Sequence, residues 1–123
     1  MPLTRFSLPL AAAALALTGC GDAGPPVRVT SPNFTIRLDD YLIRPQELRV
    51  PAARRLRVTV INQGRLGHTF RIRARERNVL RFTTVRPGER ASRSFRLAPG
   101  RYEMYCALAN HEELGMRGSL RVG

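Results

Sequence analysis

From Phe34 to Val122 the apolar side chains recur at every second position, and that period limits the chain to strands. Phe34, Ile36 and Leu38 alternate with Thr35, Arg37 and Asp39. Leu56, Val58 and Val60 alternate with Arg57 and Thr59, and Phe70 and Ile72 flank Arg71. Phe95 and Leu97 flank Arg96; Tyr102, Met104 and Cys106 share a face against Glu103 and Tyr105; Leu120 and Val122 flank Arg121. Successive side chains of a strand point to opposite faces, so each run predicts a half-buried strand. Asn62-Gln63-Gly64, Arg86-Pro87-Gly88-Glu89 and Ala98-Pro99-Gly100 punctuate the runs as turns. Strands at this spacing predict an all-β sandwich or barrel. The stretch 73–81 has no clear period and reads as a loop or short helix. With 123 residues, one domain is expected, and large α/β enzyme scaffolds are excluded.

The N-terminus follows different rules. Arg5 is the only charge before Asp22, and Leu8 to Leu17 is an apolar run. The run is shorter than the roughly 20 residues of a membrane span, and its charged start and small-residue end describe an export signal. Leu17-Thr18-Gly19-Cys20 resembles the bacterial lipobox, in which the Cys becomes the lipidated first residue. The alternative is an ordinary cleaved signal with an incidental Cys20. The lipobox divides the chain into a signal peptide (1–19), a Gly-, Pro-, Ser- and Asp-rich tether headed by lipidated Cys20 (20–33) and a folded domain (34–123). The protein is then an extracytoplasmic, membrane-anchored lipoprotein, on the periplasmic side or the cell surface.

Export bears on the charge. All 21 basic residues are Arg, against 9 acids, for a formal +12. Small basic chains often bind nucleic acid; an exported one is not expected to. The arginines are spread along the sequence, which favours a solvated surface near anionic headgroups over steering toward an acidic partner.

If Cys20 is lipidated, Cys106 has no partner in the chain. A buried inert thiol and an intermolecular disulfide are the plain readings, with a Cys20–Cys106 disulfide if Cys20 is not lipidated. The surrounding sequence adds another. Cys106, His111 and Met116 form C-x4-H-x4-M between two predicted strands, and the only other His, His68, opens a strand. Two imidazoles and a thiolate with a distant thioether describe an electron-transfer copper site.

These residues carry a resemblance to the cupredoxin family of blue copper proteins, which includes plastocyanin, azurin and auracyanin. Tyr102 to Cys106 resembles the strand that delivers the family's Cys ligand. Met116 to Val122 resembles the axial Met and closing strand, and Leu48 to Pro51 with Leu56 to His68 resembles the strand pair leading to the first His. The likeness covers roughly Phe34 to Val122 and implies a Greek-key β-sandwich or barrel of the cupredoxin type. It implies one type 1 copper held by His68, Cys106, His111 and Met116, with the Gly67 carbonyl as a weak second axial contact. The sequence departs from the family at two neighbouring positions. Thr69 stands where many members carry Asn or Ser, and Asn110 where Gly is frequent. A Thr hydroxyl can still tie the ligand loops together, and Asn tolerates left-handed backbone.

The resemblance implies outer-sphere transfer of single electrons, with no catalysis, to and from a redox protein partner such as a cytochrome or oxidase. Docking is expected through an apolar patch around His111 formed by Leu66, Leu108 and Leu114, with Tyr105 as an outward-facing neighbour. The chain is expected to act as a monomer. The competing reading is an extracytoplasmic copper carrier or scavenger on the same fold. The scarcity of Met and His, which a carrier uses as open ligands, weighs against it.

Overall fold

A computed structural model describes residues 24–123; residues 1–19, read above as a signal peptide, and Cys20 lie outside the described residues. Ten strands form: β1 (Val27–Arg28), β2 (Asn33–Asp39), β3 (Leu42–Arg44), β4 (Glu47–Val50), β5 (Leu56–Asn62), β6 (His68–Ala74), β7 (Arg77–Val85), β8 (Arg90–Phe95), β9 (Gly100–Tyr105) and β10 (Arg117–Val122). They make two mixed sheets, one ordered β1-β4-β10-β9-β6-β7 and the other β3-β2-β5-β8. The parallel pairs are β1/β4, β4/β10 and β2/β5.

The predicted alternation is the reason these segments pair. Phe34, Ile36 and Leu38 of β2 and Leu56, Val58 and Val60 of β5 are all buried, while the residues between them face outward. The opposing sheet answers with Leu48, Val50, Phe70, Ile72, Met104, Leu120 and Val122. Burying one such side chain contributes roughly 1.5–3 kcal/mol, so this two-faced core holds the sandwich together. Both sheets and the whole core cluster lie within the described residues.

Three expectations need correction. The stretch 73–81 is a hairpin, not a loop or helix: β6 runs to Ala74, the chain turns at Arg75 with φ 54°, and β7 begins at Arg77. Register shifts in the β6/β7 pairing break the simple period there. The tether does not extend to Asn33, because Val27 and Arg28 already pair with Leu48 and Arg49. The strand expected at Phe95 and Leu97 is β8, which lies earlier and ends at Phe95.

Topology brings the candidate residues together. β9 pairs antiparallel with both β6 and β10. The start of β6, the end of β9 and the start of β10 therefore lie at one end of the sheet. β2 and β5 run parallel with Leu38 opposite Asn62, which carries the β2–β3 turn to that same end.

Candidate metal centre

His68 is the first residue of β6 and is fully buried. The loop before it is organised by Asn62, itself 1% exposed. The Asn62 Nδ2 donates to the carbonyls of Leu66 and Val85, both at 2.8 Å, and its Oδ1 accepts from the Gly64 N–H at 2.9 Å. Gly88, at φ 80° in the expected Pro-Gly turn, donates its N–H to the Asn62 carbonyl. One buried amide thus ties two loops to the end of β5.

Cys106 follows β9 and is a fully buried free thiol. Its N–H donates to the Met116 carbonyl at 3.1 Å, and the Met116 N–H donates to the His111 carbonyl at 3.0 Å. These two bonds close the loop from Cys106 to Met116 at its neck, and Met116 is fully buried there. Helix-like turns stiffen the interior: His111 N–H donates to Leu108, Leu114 to Asn110 and Gly115 to Glu112. Besides Gly115, the residue of this loop with positive φ is Ala109, at 42°, rather than Asn110. Asn110 is exposed and contributes its main-chain carbonyl.

The donor atoms converge. His68 Nδ1 lies 3.2 Å from His111 Nδ1, and Cys106 Sγ lies 3.6 Å from His111 Nδ1. One ligand atom from each of His68, Cys106 and His111 falls within 4.8 Å of the others. Thr69 bridges the two loops. Its hydroxyl accepts from the Ala107 N–H at 2.8 Å and donates to Cys106 Sγ at 3.6 Å. Gly67 sits close under β7, where a Cβ would come within 3.0 Å of the Thr84 methyl.

Two functional residues escaped the sequence reading, both in the β2–β3 turn. Asp40 Oδ1 accepts from His68 Nε2 at 3.0 Å. The same carboxylate accepts from the N–H groups of Arg65 and Leu66 at 3.0–3.1 Å. The Arg65 bond, then the His68 and Leu66 bonds, hold its carboxyl below the usual value despite partial desolvation. Ionised Asp only accepts, so the His68 proton sits on Nε2 and the Nδ1 lone pair faces the site. Gly64 permits this approach, because a Cβ there would overlap the Asp40 carboxylate. Tyr41 packs its ring edge-on to His111 with centroids 5.2 Å apart. No local signal marks either residue; both reach the site through the β2/β5 pairing.

The residues expected to form a docking patch divide. Leu66 and Leu114 are 41% and 52% exposed, while Leu108 is half-buried against the core. Tyr105 is not a surface residue: it is 6% exposed and donates its hydroxyl to Asn78 at 2.6 Å. Alternation does place it on the outer face, but Arg73 lies across its ring at 4.2 Å. Arg73 is fixed there by Glu112 at 2.5 Å and Glu103 at 2.6 Å, which also raise its pKa. Glu112 belongs to the Cys106–Met116 loop, so this pair also fastens that loop to β6.

Two buried or half-buried imidazoles and a buried thiol, with a buried Met closing the loop neck, form a soft donor set. Carboxylate oxygen is absent from the group; Asp40 meets the far nitrogen of His68 instead. Hard cations prefer oxygen, whereas this set fits one type 1 copper.

A two-sheet β-sandwich with a His, Cys, His and Met cluster at one end defines a blue-copper type of protein. The sequence agrees: a family model described as a cupredoxin-like domain matches residues 9–121, and the chain belongs to that family. Among solved structures, dithionite-reduced auracyanin from Roseiflexus castenholzii is 19% identical, with TM-score 0.68, over 77% of this chain and 99% of that one. Rusticyanin from Thiobacillus ferrooxidans is 17% identical over 81% and 83%, with TM-score 0.67. An azurin from Methylomonas sp. strain J is 17% identical over 74% and 97%, with TM-score 0.66. No curated protein matches by sequence.

Proposed function

We propose that the protein carries single electrons outside the cytoplasm, holding one copper with His68 Nδ1, Cys106 Sγ and His111 Nδ1. Met116 would be the weak axial ligand, and the Gly67 carbonyl a further weak contact. The observation that supports this most is the convergence of three soft donors within 4.8 Å. Copper bound there would supply one-electron redox chemistry. The protein's part is to hold its ligands still, so that little rearranges when an electron passes. Asp40 fixes the ring and tautomer of His68. Thr69 and the Cys106–Met116 main-chain bonds fix the thiol and the loop neck.

His111 is the half-buried ligand, beside exposed Tyr41 and in the same loop as Leu114. A small apolar surface there suits a redox protein that docks briefly and leaves. On this reading the chain is an electron carrier and not an enzyme, monomeric and tethered to a membrane through Cys20. A carrier or scavenger of copper would use open, exchangeable ligands. Here His68, Cys106 and Met116 are fully buried, which favours electron transfer.

The test is to load a chain beginning at Gly21 with one equivalent of Cu(II) and record visible and EPR spectra. An intense blue band with narrow copper hyperfine splitting, abolished in Cys106→Ser, is expected. A colourless product, or a copper signal indifferent to Cys106→Ser and His111→Ala, would overturn the reading.

A further inference from the structure

Arginines that are scattered in sequence meet on one face of the larger sheet. Arg28 of β1 lies opposite Arg49 of β4, Arg49 opposite Arg121 of β10, and Arg121 opposite Arg101 of β9. Directly opposed residues share a face, so the four form one row across four adjacent strands, roughly 14 Å long. Leu48, Val50, Leu120 and Val122, which alternate with row members, point into the core. The row therefore stands on the outer face, with Arg28, Arg101 and Arg121 exposed and Arg49 half-buried.

Like charges placed directly opposite destabilise a sheet, so this arrangement needs an explanation. Among the described residues, none of the four pairs with an Asp or Glu side chain. Arg49 donates Nε to the main-chain oxygen of Gly123 at 2.8 Å. The charge of Arg28, then loss of water, then the charge of Arg121 hold its guanidinium below the ordinary value. The four line a groove of about 390 Å³ whose only acidic lining residue is Glu47. The row thus concentrates four positive charges in a groove where Glu47, two positions from Arg49 on the same face, is the single opposing charge and makes no ion pair with them.

We propose that this arginine row docks on the phosphate headgroups of an anionic phospholipid membrane, leaving the His68–Cys106–His111 end free for a redox partner. Guanidinium forks bind phosphate oxygens in pairs, and an extended row matches a surface of many phosphates. Position separates the row from electron exchange. Arg101 and Arg121 lie four residues along their strands from Tyr105 and Arg117, which adjoin the site, a distance of roughly 13 Å. Chain order adds a further argument, which rests on the lipid-anchor reading of Cys20. Arg28 follows Cys20 by eight residues, so an anchor there keeps the β1 edge within about 28 Å of the bilayer.

The test uses the unacylated chain beginning at Gly21, which retains both sheets and the whole core. Flotation with vesicles of phosphatidylglycerol and phosphatidylcholine in equal parts should recover the protein, and pure phosphatidylcholine vesicles should not. Binding should fall steeply with added salt. Arg101→Gln/Arg121→Gln should weaken it by roughly 25-fold, about fivefold per arginine. It should also raise Tm, because opposed like charges are removed, so misfolding would not mask the result. Arg77→Gln/Arg86→Gln carries the same charge change on and just beyond β7, at the far sheet edge, and should lose much less. Equal loss in the two double variants, or no binding to the anionic vesicles, would overturn the proposal. So would complete displacement by millimolar inorganic phosphate at constant ionic strength, which would make the groove a free-phosphate site. Acylation of Cys20 is read separately, from the mass of the membrane-extracted chain, so failure of the anchor leaves the vesicle result standing.

Discussion

His68 and His111 face each other across the same site, yet the chain holds them by opposite means. His68 begins a strand, is fully buried, and has its outer nitrogen locked to Asp40. The loop before it is wired through Asn62 by three hydrogen bonds. His111 sits in a turn, is half-buried, and is steadied by its main-chain bonds to Leu108 and Met116 and by the edge of Tyr41. No hydrogen-bond partner for its Nε2 is found among the described residues. Hydrogen bonds to a buried group fix direction; packing against an exposed ring fixes only proximity. The first histidine is thus built as a fixed support and the second as the contact with the outside.

The comparison breaks most severely at Asn62. Asn62→Ala leaves the Leu66 and Val85 carbonyls and the Gly64 N–H without their partner. Buried unsatisfied groups make such losses large, so destabilisation of about 3 kcal/mol is expected. Chemical denaturation of the apo chain measures it. The same denaturation series on Asn110→Ala, whose exposed side chain lies beside His111, should show less than about 0.5 kcal/mol. Similar values for the two would remove the asymmetry between the loops.

Asp40 sharpens it. Asp40→Ala frees the His68 ring to adopt either tautomer and removes the anchor of the Arg65 and Leu66 N–H groups. Loss of such an outer partner lowers metal affinity by roughly 10–100-fold, measurable by competition with a copper chelator. Asp40→Asn keeps an oxygen acceptor but removes the negative charge that favours the oxidised metal, so a raised reduction potential with a smaller affinity loss is expected. The NMR signals of His68 in the copper-free protein should report mixed tautomers in Asp40→Ala, with a smaller change at His111, whose Nδ1 lies 3.2 Å from that of His68. Equal perturbation of both rings would mean that Asp40 supports the site as a whole rather than one histidine.

The same division explains what was readable in advance. β2 and β5 bury alternate residues throughout, and Phe70 and Ile72 of β6 and Tyr102 and Met104 of β9 keep the same beat, so their period shows in the sequence. β8 carries Ala91, Ser92, Arg93 and Ser94 on a sheet edge, with no apolar face to betray it. β7 was hidden by the register shifts of its pairing with β6. In the site, Cys106, His111 and Met116 lie in one loop, and His68 is the only other histidine, so scarcity of donors pointed to them. Asp40, Tyr41 and Asn62 belong to the site only because β2 pairs in parallel with β5, a long-range fact with no local trace. The burial of Tyr105 likewise depends on Arg73, 32 positions away in the chain, and the arginine row on two parallel pairings of β4.

The mildest test separates two effects at Tyr41. This residue holds a left-handed backbone, φ 64°, and presents its ring to His111. Tyr41→Ala keeps the strain and loses the ring; Tyr41→Gly loses the ring and relieves the strain. Left-handed backbone disfavours a residue with a Cβ by roughly 1–2 kcal/mol, so the Gly variant should be the more stable of the two by about 1 kcal/mol. Both should leave the spectrum of bound copper nearly unchanged, because neither touches a donor atom. Both should broaden the His111 ring signals in the copper-free protein while leaving His68 sharp. If the His111 signals stay sharp in both variants, its turn is rigid without the ring, and the contrast between a locked and a packed histidine fails. If the Ala and Gly variants are equally stable, the turn relaxes when the ring leaves, and Tyr41 is itself what imposes the left-handed bend.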